Sequence, residues 1–136
     1  MQYWLLKTEP STYSWDDLMR DGTTVWDGVR NNQALIHLRA MQPDDRVLIY
    51  HSGDERAVVG LAEITSGPYP DPQLADPKHV VVDVRAVQPV KHMVTLGTIK
   101  ASAQFEQLAL VRQPRLSVMP VTEAQWQRLL ELCELT

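Results

Sequence analysis

The stretch Arg46-Val47-Leu48-Ile49-Tyr50-His51-Ser52-Gly53-Asp54-Glu55-Arg56-Ala57-Val58-Val59-Gly60-Leu61-Ala62-Glu63-Ile64-Thr65 decides the fold. Two apolar, β-branched runs, 46–51 and 57–65, flank five polar residues with one glycine, which is the pattern of a β-hairpin. Working toward the N-terminus, Ala34, Leu35, Leu38 and Met41 share one face at helical spacing, so 30–41 reads as a helix closed by Pro43-Asp44-Asp45. Ser14 and Asp17 form a capping box for a short helix over 14–21. Residues 2–7 are apolar and aromatic and suit a buried strand. Working toward the C-terminus, Gly67-Pro68-Tyr69-Pro70-Asp71-Pro72 predicts a stiff, extended loop. Val80, Val82, Val84 and Ala86 then alternate as a strand with one buried face. Residues 95–101 suit a helical turn, and 108–111 and 116–121 suit strands. A final helix follows a Thr122/Gln125 capping box, with Trp126, Leu129, Leu130 and Cys133 on one face. Strands and long helices do not alternate regularly, which excludes a doubly wound parallel sheet. The expected fold class is α+β: one domain over 1–136 with a small curved sheet or barrel and helices at its ends.

The chain has 136 residues, with 13 Lys+Arg against 17 Asp+Glu, a formal net charge of −4. Binding nucleic acid through the backbone alone needs a basic excess, so that mode is excluded and a local patch or pocket is required. The single cysteine, Cys133, permits no intrachain disulfide and no thiolate zinc site. None of His37, His51, His79 and His92 has metal-ligand spacing, so no metal or cofactor is expected. No nucleophile-elbow, dinucleotide or phosphate-loop motif occurs, and no catalytic group is assigned. The start of the chain lacks a secretory pattern, and apolar runs of about four residues fall far short of the ~20 that span a bilayer. The expectation is a soluble, cytoplasmic protein with no membrane partner.

Three polar–aromatic segments stand out. Lys7-Thr8-Glu9-Pro10 ends the first strand, which is either a solvated turn or the rim of a site. Val25-Trp26-Asp27-Gly28-Val29-Arg30-Asn31 sets a tryptophan before a helix. Trp26 reads either as a core anchor or as a pocket wall, with Asp27-Gly28 leaving backbone N–H groups free near the helix start. An aromatic face beside free donors suits a flat heterocycle. Tyr50-His51-Ser52 opens the hairpin loop, as aromatic packing or as part of a site.

These segments, with Tyr3-Trp4-Leu5-Leu6-Lys7-Thr8-Glu9-Pro10, Trp26-Asp27-Gly28-Val29-Arg30-Asn31, Val59-Gly60-Leu61-Ala62-Glu63-Ile64, Tyr69-Pro70-Asp71-Pro72 and Arg115-Leu116-Ser117-Val118-Met119-Pro120-Val121, resemble the EVE domain family in order and over nearly the whole chain. The family is related to the YTH domains. The resemblance implies a PUA-like fold, a small twisted β-barrel flanked by helices. It also implies a non-catalytic pocket for a modified base in DNA or RNA. Under it, Lys7, Thr8 and Glu9 lie at the strand end beside the pocket and Trp26 stacks on the base. Asp27 and Gly28 present backbone groups, and Arg30 and Asn31 lie at the helix start. Tyr50, His51 and Ser52 form the opposite wall, and Arg115 and Ser117 belong to the late motif. The chain departs from the family at Asn32, where tyrosine is usual, and at Leu35-Ile36, where Arg-Asn is common. Two other readings stay open: an enzyme or binder acting on a nucleotide-like small molecule with Glu9 or His51 as acid or base, and a protein–protein adaptor using the 67–72 segment.

Overall fold

The computed structural model describes residues 1–135. The chain order is β1 (Tyr3–Thr8), α1 (Trp15–Asp21), β2 (Thr23–Trp26), α2 (Asn32–Ala40), β3 (Arg46–His51), β4 (Ala57–Pro70), β5 (Val80–Thr95), α3 (Leu96–Lys100), a 3-10 turn (Ala103–Phe105), α4 (Ala109–Arg112), β6 (Val118–Val121) and α5 (Glu123–Leu132). One twisted, mixed sheet runs β2-β5-β4-β3-β1-β6. Its ends, β2 and β6, are not paired with each other among the described residues, so the sheet is open rather than closed. β1 lies parallel to β3, and every other pairing is antiparallel.

Local chemistry explains most of these elements. Ser14 and Asp17 form the reciprocal capping box of α1, and Thr122 and Gln125 that of α5. The 46–65 hairpin forms as expected, with a register shift at Ile49/Tyr50. Three readings change. Residues 108–111 lie in α4, not in a strand, because a four-residue apolar run has no period long enough to tell the two apart. The proline segment is not a loop throughout: β4 runs to Pro70, across register shifts where ladder bonds lapse and proline's missing N–H costs nothing. There Tyr69 donates to Asp83 at 2.6 Å, a bond to a carboxylate that pushes the phenol up to about 12. The second helix begins at Asn32 with Asn31 as its cap, so Asp27-Gly28 is not its start.

The core lies between the sheet and the helices that cover it. Leu5, Leu6, Leu48, Ile49 and Ile64 from the central strands meet Leu35 and Leu38 of α2, Leu18 of α1 and Phe105. Tyr3 stacks on Trp126 at 4.7 Å, fixing α5 to the first strand. Two buried features hold the strand ends in place. The Asp45 carboxylate, 2% exposed, accepts from the Gln2 N–H (3.0 Å), the Trp4 indole N–H (2.9 Å) and the Gln42 N–H (3.0 Å). Gly60 lies beneath the Trp15 indole, where a Cβ would come within 2.3 Å of the ring. Cys133 is fully buried, and burial pushes its thiol up to about 12. The native protein should therefore resist iodoacetamide near pH 8 and react at once when denaturant opens the fold. Fast labelling of the native state would contradict this packing.

Candidate functional site

The end of β1, the end of β2 and the loop after β2 converge on a cavity of about 550 Å³. Lys7, Thr8 and Glu9 line it from β1 and its following turn, and Thr24, Val25 and Trp26 from β2. Asp27, Gly28, Val29 and Arg30 line it from the loop, with Thr12, Tyr13 and Ser117 completing the wall. The volume suits a single heterocycle with its sugar. β2 is too short to read from sequence, yet it carries Trp26 to this position by pairing with Val82 of β5.

Trp26 is both core and wall. It is 8% exposed, meets Tyr13 edge-to-face at 6.4 Å and 86°, and lines the cavity. Tyr13 is held by its hydroxyl donating to Asp21 at 2.8 Å, and burial raises its phenol above the ordinary value. The loop bends at Gly28, with φ of +77°, a conformation that disfavours side chains bearing a Cβ. The Gly28 and Val29 N–H groups donate to no partner among the described residues, so they remain free as donors. Thr8 donates its hydroxyl to the Tyr13 carbonyl at 2.6 Å, which leaves its oxygen as an acceptor. The Lys7 N–H donates to the Ser117 carbonyl at 2.9 Å, and this bond brings residue 117 to the cavity.

Lys7 spans the rim. Its ammonium donates to the Pro114 carbonyl at 2.8 Å and lies 5.8 Å from the Tyr50 ring centroid. Partial burial lowers its pKa by desolvation. The charged residues of the cavity are Lys7 and Arg30 against Glu9 and Asp27, so the lining is formally neutral. Such a site favours an uncharged polar ring over a phosphate.

The structure thus brings Lys7, Thr8, Glu9, Trp26, Asp27, Gly28, Arg30 and Ser117 to one cavity. It separates the others. Asn31 caps α2 by accepting from the Ala34 N–H at 3.0 Å, and with Arg115 it lines an adjoining depression. Tyr50 and Ser52 face a second groove rather than the opposite wall. His51 lines neither. It is 8% exposed, its Nε2 accepts from the Trp15 N–H at 2.9 Å, and its Nδ1 contacts Glu55 Oε1 at 2.5 Å. The first bond makes Nε2 the acceptor and assigns the proton to Nδ1, so both ring nitrogens are committed to the fold. Sequence reading misses Thr12 and Tyr13, polar residues between β1 and α1, and Thr24, inside the short β2, because no motif surrounds them. Among the described residues, no group of three or more His, Cys, Asp or Glu is arranged to hold a metal, and no helix is long and apolar enough to cross a membrane.

Residues 2–132 match the EVE domain family. The chain is an EVE domain. Thymocyte nuclear protein 1 of Rattus norvegicus is 32% identical over 166 aligned positions, covering 97% of this chain and 74% of that protein. The solution structure of Rpa0253 from Rhodopseudomonas palustris is 42% identical, with a TM-score of 0.90 over 99% of this chain and 92% of that one. The human THYN1 protein, solved in complex with 5-methylcytosine-containing DNA, is 31% identical, with a TM-score of 0.91 over 98% of both chains. The α+β architecture of this EVE domain is therefore that of its relatives, with the sheet open at β2 and β6.

Proposed function

We propose that this EVE domain binds a modified base in nucleic acid, turned out of its stack into the 550 Å³ cavity, without catalysing a reaction on it. The observation that carries the reading is the cavity's chemistry: a fixed indole wall, free backbone donors and a neutral lining. A ring stacked on Trp26 would offer its edge to the Gly28 and Val29 N–H groups and to the Thr8 and Ser117 oxygens. The likeness to the human protein bound to 5-methylcytosine DNA supports a modified base and makes DNA the first polymer to test. The alternative of acid–base chemistry finds less support. His51 has both nitrogens occupied and lies outside the cavity. Glu9 lines it, but its carboxylate accepts from the Ser11 N–H and hydroxyl at 3.2 and 3.1 Å, which suits a turn. The net charge of −4 leaves little whole-surface attraction, so the salt dependence should be shallow.

The test is titration with duplex DNA carrying one 5-methylcytosine against the same duplex unmodified. A clear preference for the modified duplex is expected, and equal affinity for both would overturn the reading. Trp26→Ala should weaken binding by about 1–3 kcal/mol, the worth of one base–aromatic stack. Trp26→Phe keeps a ring and should recover part of it. Full binding by Trp26→Ala would leave the indole a core residue only.

A further inference from the structure

A second groove, of about 260 Å³, opens beside the base cavity, and Lys7 lines both. Lys7, Arg56 and Lys100 line this groove together with Tyr50 and Ser52, and no carboxylate does. The contrast with the cavity is one of charge: the cavity balances two cations with two carboxylates, while the groove is lined by three cations and no carboxylate. Arg56 and Lys100 are exposed and form no ion pair among the described residues. Arg20, Arg85 and Arg128, by contrast, are each neutralised by a carboxylate. Asp54 and Glu55 line an adjoining depression that shares Arg56, Leu96 and Lys100 with the groove, and the Glu55 carboxylate there is engaged by His51.

The two cations are built into position by the fold. Arg56 ends the hairpin loop with φ of +45°, a left-handed conformation unfavourable for any residue with a Cβ, and its carbonyl accepts the Leu96 N–H at 2.8 Å. That bond ties the loop to α3. Leu96 and Lys100 are four residues apart on α3, so both meet the groove from one helix face.

We propose that this groove carries the phosphates of the strand flanking the inserted base, with Arg56 and Lys100 as the phosphate-binding cations and Lys7 at the junction. The proposal rests on the base-binding reading. It divides the labour: the neutral cavity reads the base, and the basic groove holds the backbone irrespective of sequence or modification. It also reconciles an acidic chain with a polyanionic partner, since the positive charge is needed only along one short track.

The test is the Arg56→Ala/Lys100→Ala double variant, titrated over a range of salt with duplex DNA carrying one 5-methylcytosine and with the unmodified duplex. Both lie at the surface, so the fold should persist, and an unchanged melting transition checks this. Affinity for both duplexes should fall by the same factor. The slope of log affinity against log salt should become shallower by about 1.4–1.8, roughly 0.7–0.9 for each lost phosphate contact. The charge-keeping variant Arg56→Lys/Lys100→Arg should retain the wild-type slope. If the double variant keeps the wild-type affinity and slope while wild type prefers the modified duplex, the groove proposal is overturned and base reading stands. If wild type shows no preference but the slope still falls in the variant, base reading fails and the phosphate track stands. If wild type binds neither duplex, both fail.

Discussion

Asp45→Ala is expected to destabilise the fold by about 4 kcal/mol or more. The side chain is buried and takes three donors on two oxygens: the Gln2 N–H on Oδ1, and the Trp4 indole and Gln42 N–H groups on Oδ2. Hydrogen bonds to a charged partner contribute about 1.5–3 kcal/mol each, and orphaned buried donors add their desolvation cost. Against a total stability of about 5–15 kcal/mol, that is a large share. Asp45→Asn is the sharper experiment. An amide keeps one acceptor oxygen, so one or two of the three donors would face an NH2 group instead. Its cost should be about half that of alanine. Urea denaturation reads both: the midpoint should fall while the slope with denaturant stays constant. A shift below about 1 kcal/mol for alanine would mean that water replaces the carboxylate and that the turn is not a structural centre.

Gly60→Ala is the second large effect. The added Cβ would lie 2.3 Å from the Trp15 ring, far inside van der Waals contact. That ring is 5% exposed and hemmed in by core neighbours, so it has little room to yield. Its helix start is also pinned to His51 through the backbone. Overpacking of this kind costs about 1–3 kcal/mol, and sometimes more. The diagnostic is a double-mutant cycle with Trp15→Leu, whose smaller side chain makes room for the methyl group. Gly60→Ala should cost markedly less in that background, a coupling expected of residues in contact. Strict additivity would place the strain in the β4 backbone rather than in the contact. The glycine of the Val59-Gly60-Leu61 motif thus belongs to packing, two strands away from β2 and its tryptophan.

How far the sequence disclosed this protein depends on the length of each signal. Both capping boxes, the hairpin and the Val80–Ala86 alternation span enough residues to carry a period or a reciprocal pair, and they reappear in the fold. The failures share one cause. β2 has four residues, and the apolar core of α4 is equally short, so neither shows a period. β4 passes Pro68 at a register shift that only the partner strand reveals and ends at Pro70. The site was legible where it follows a strand end, as at Lys7-Thr8-Glu9 and Trp26-Asp27-Gly28. It was not legible where tertiary pairing redirects a residue. His51 looks like a base in sequence, but the Trp15 amide and the Glu55 carboxylate claim it in space. Arg56 and Lys100, 44 positions apart, share a groove only because the Arg56 carbonyl meets the start of α3.

The first strand lies between β3 and β6, so its two edges are satisfied at very different times during synthesis. The inner edge finds β3 once residue 51 has emerged, but the outer edge waits for residues 118–121. Until then the nascent chain presents Tyr3, Trp4, Leu5 and Leu6 along an unpaired strand, an invitation to intermolecular pairing. The same late segment delivers Ser117 to the cavity beside residues contributed by the opening strand. Translation that stops before β6 should yield a sticky product with an incomplete cavity, whose wall closes only once residues 117–121 are in place.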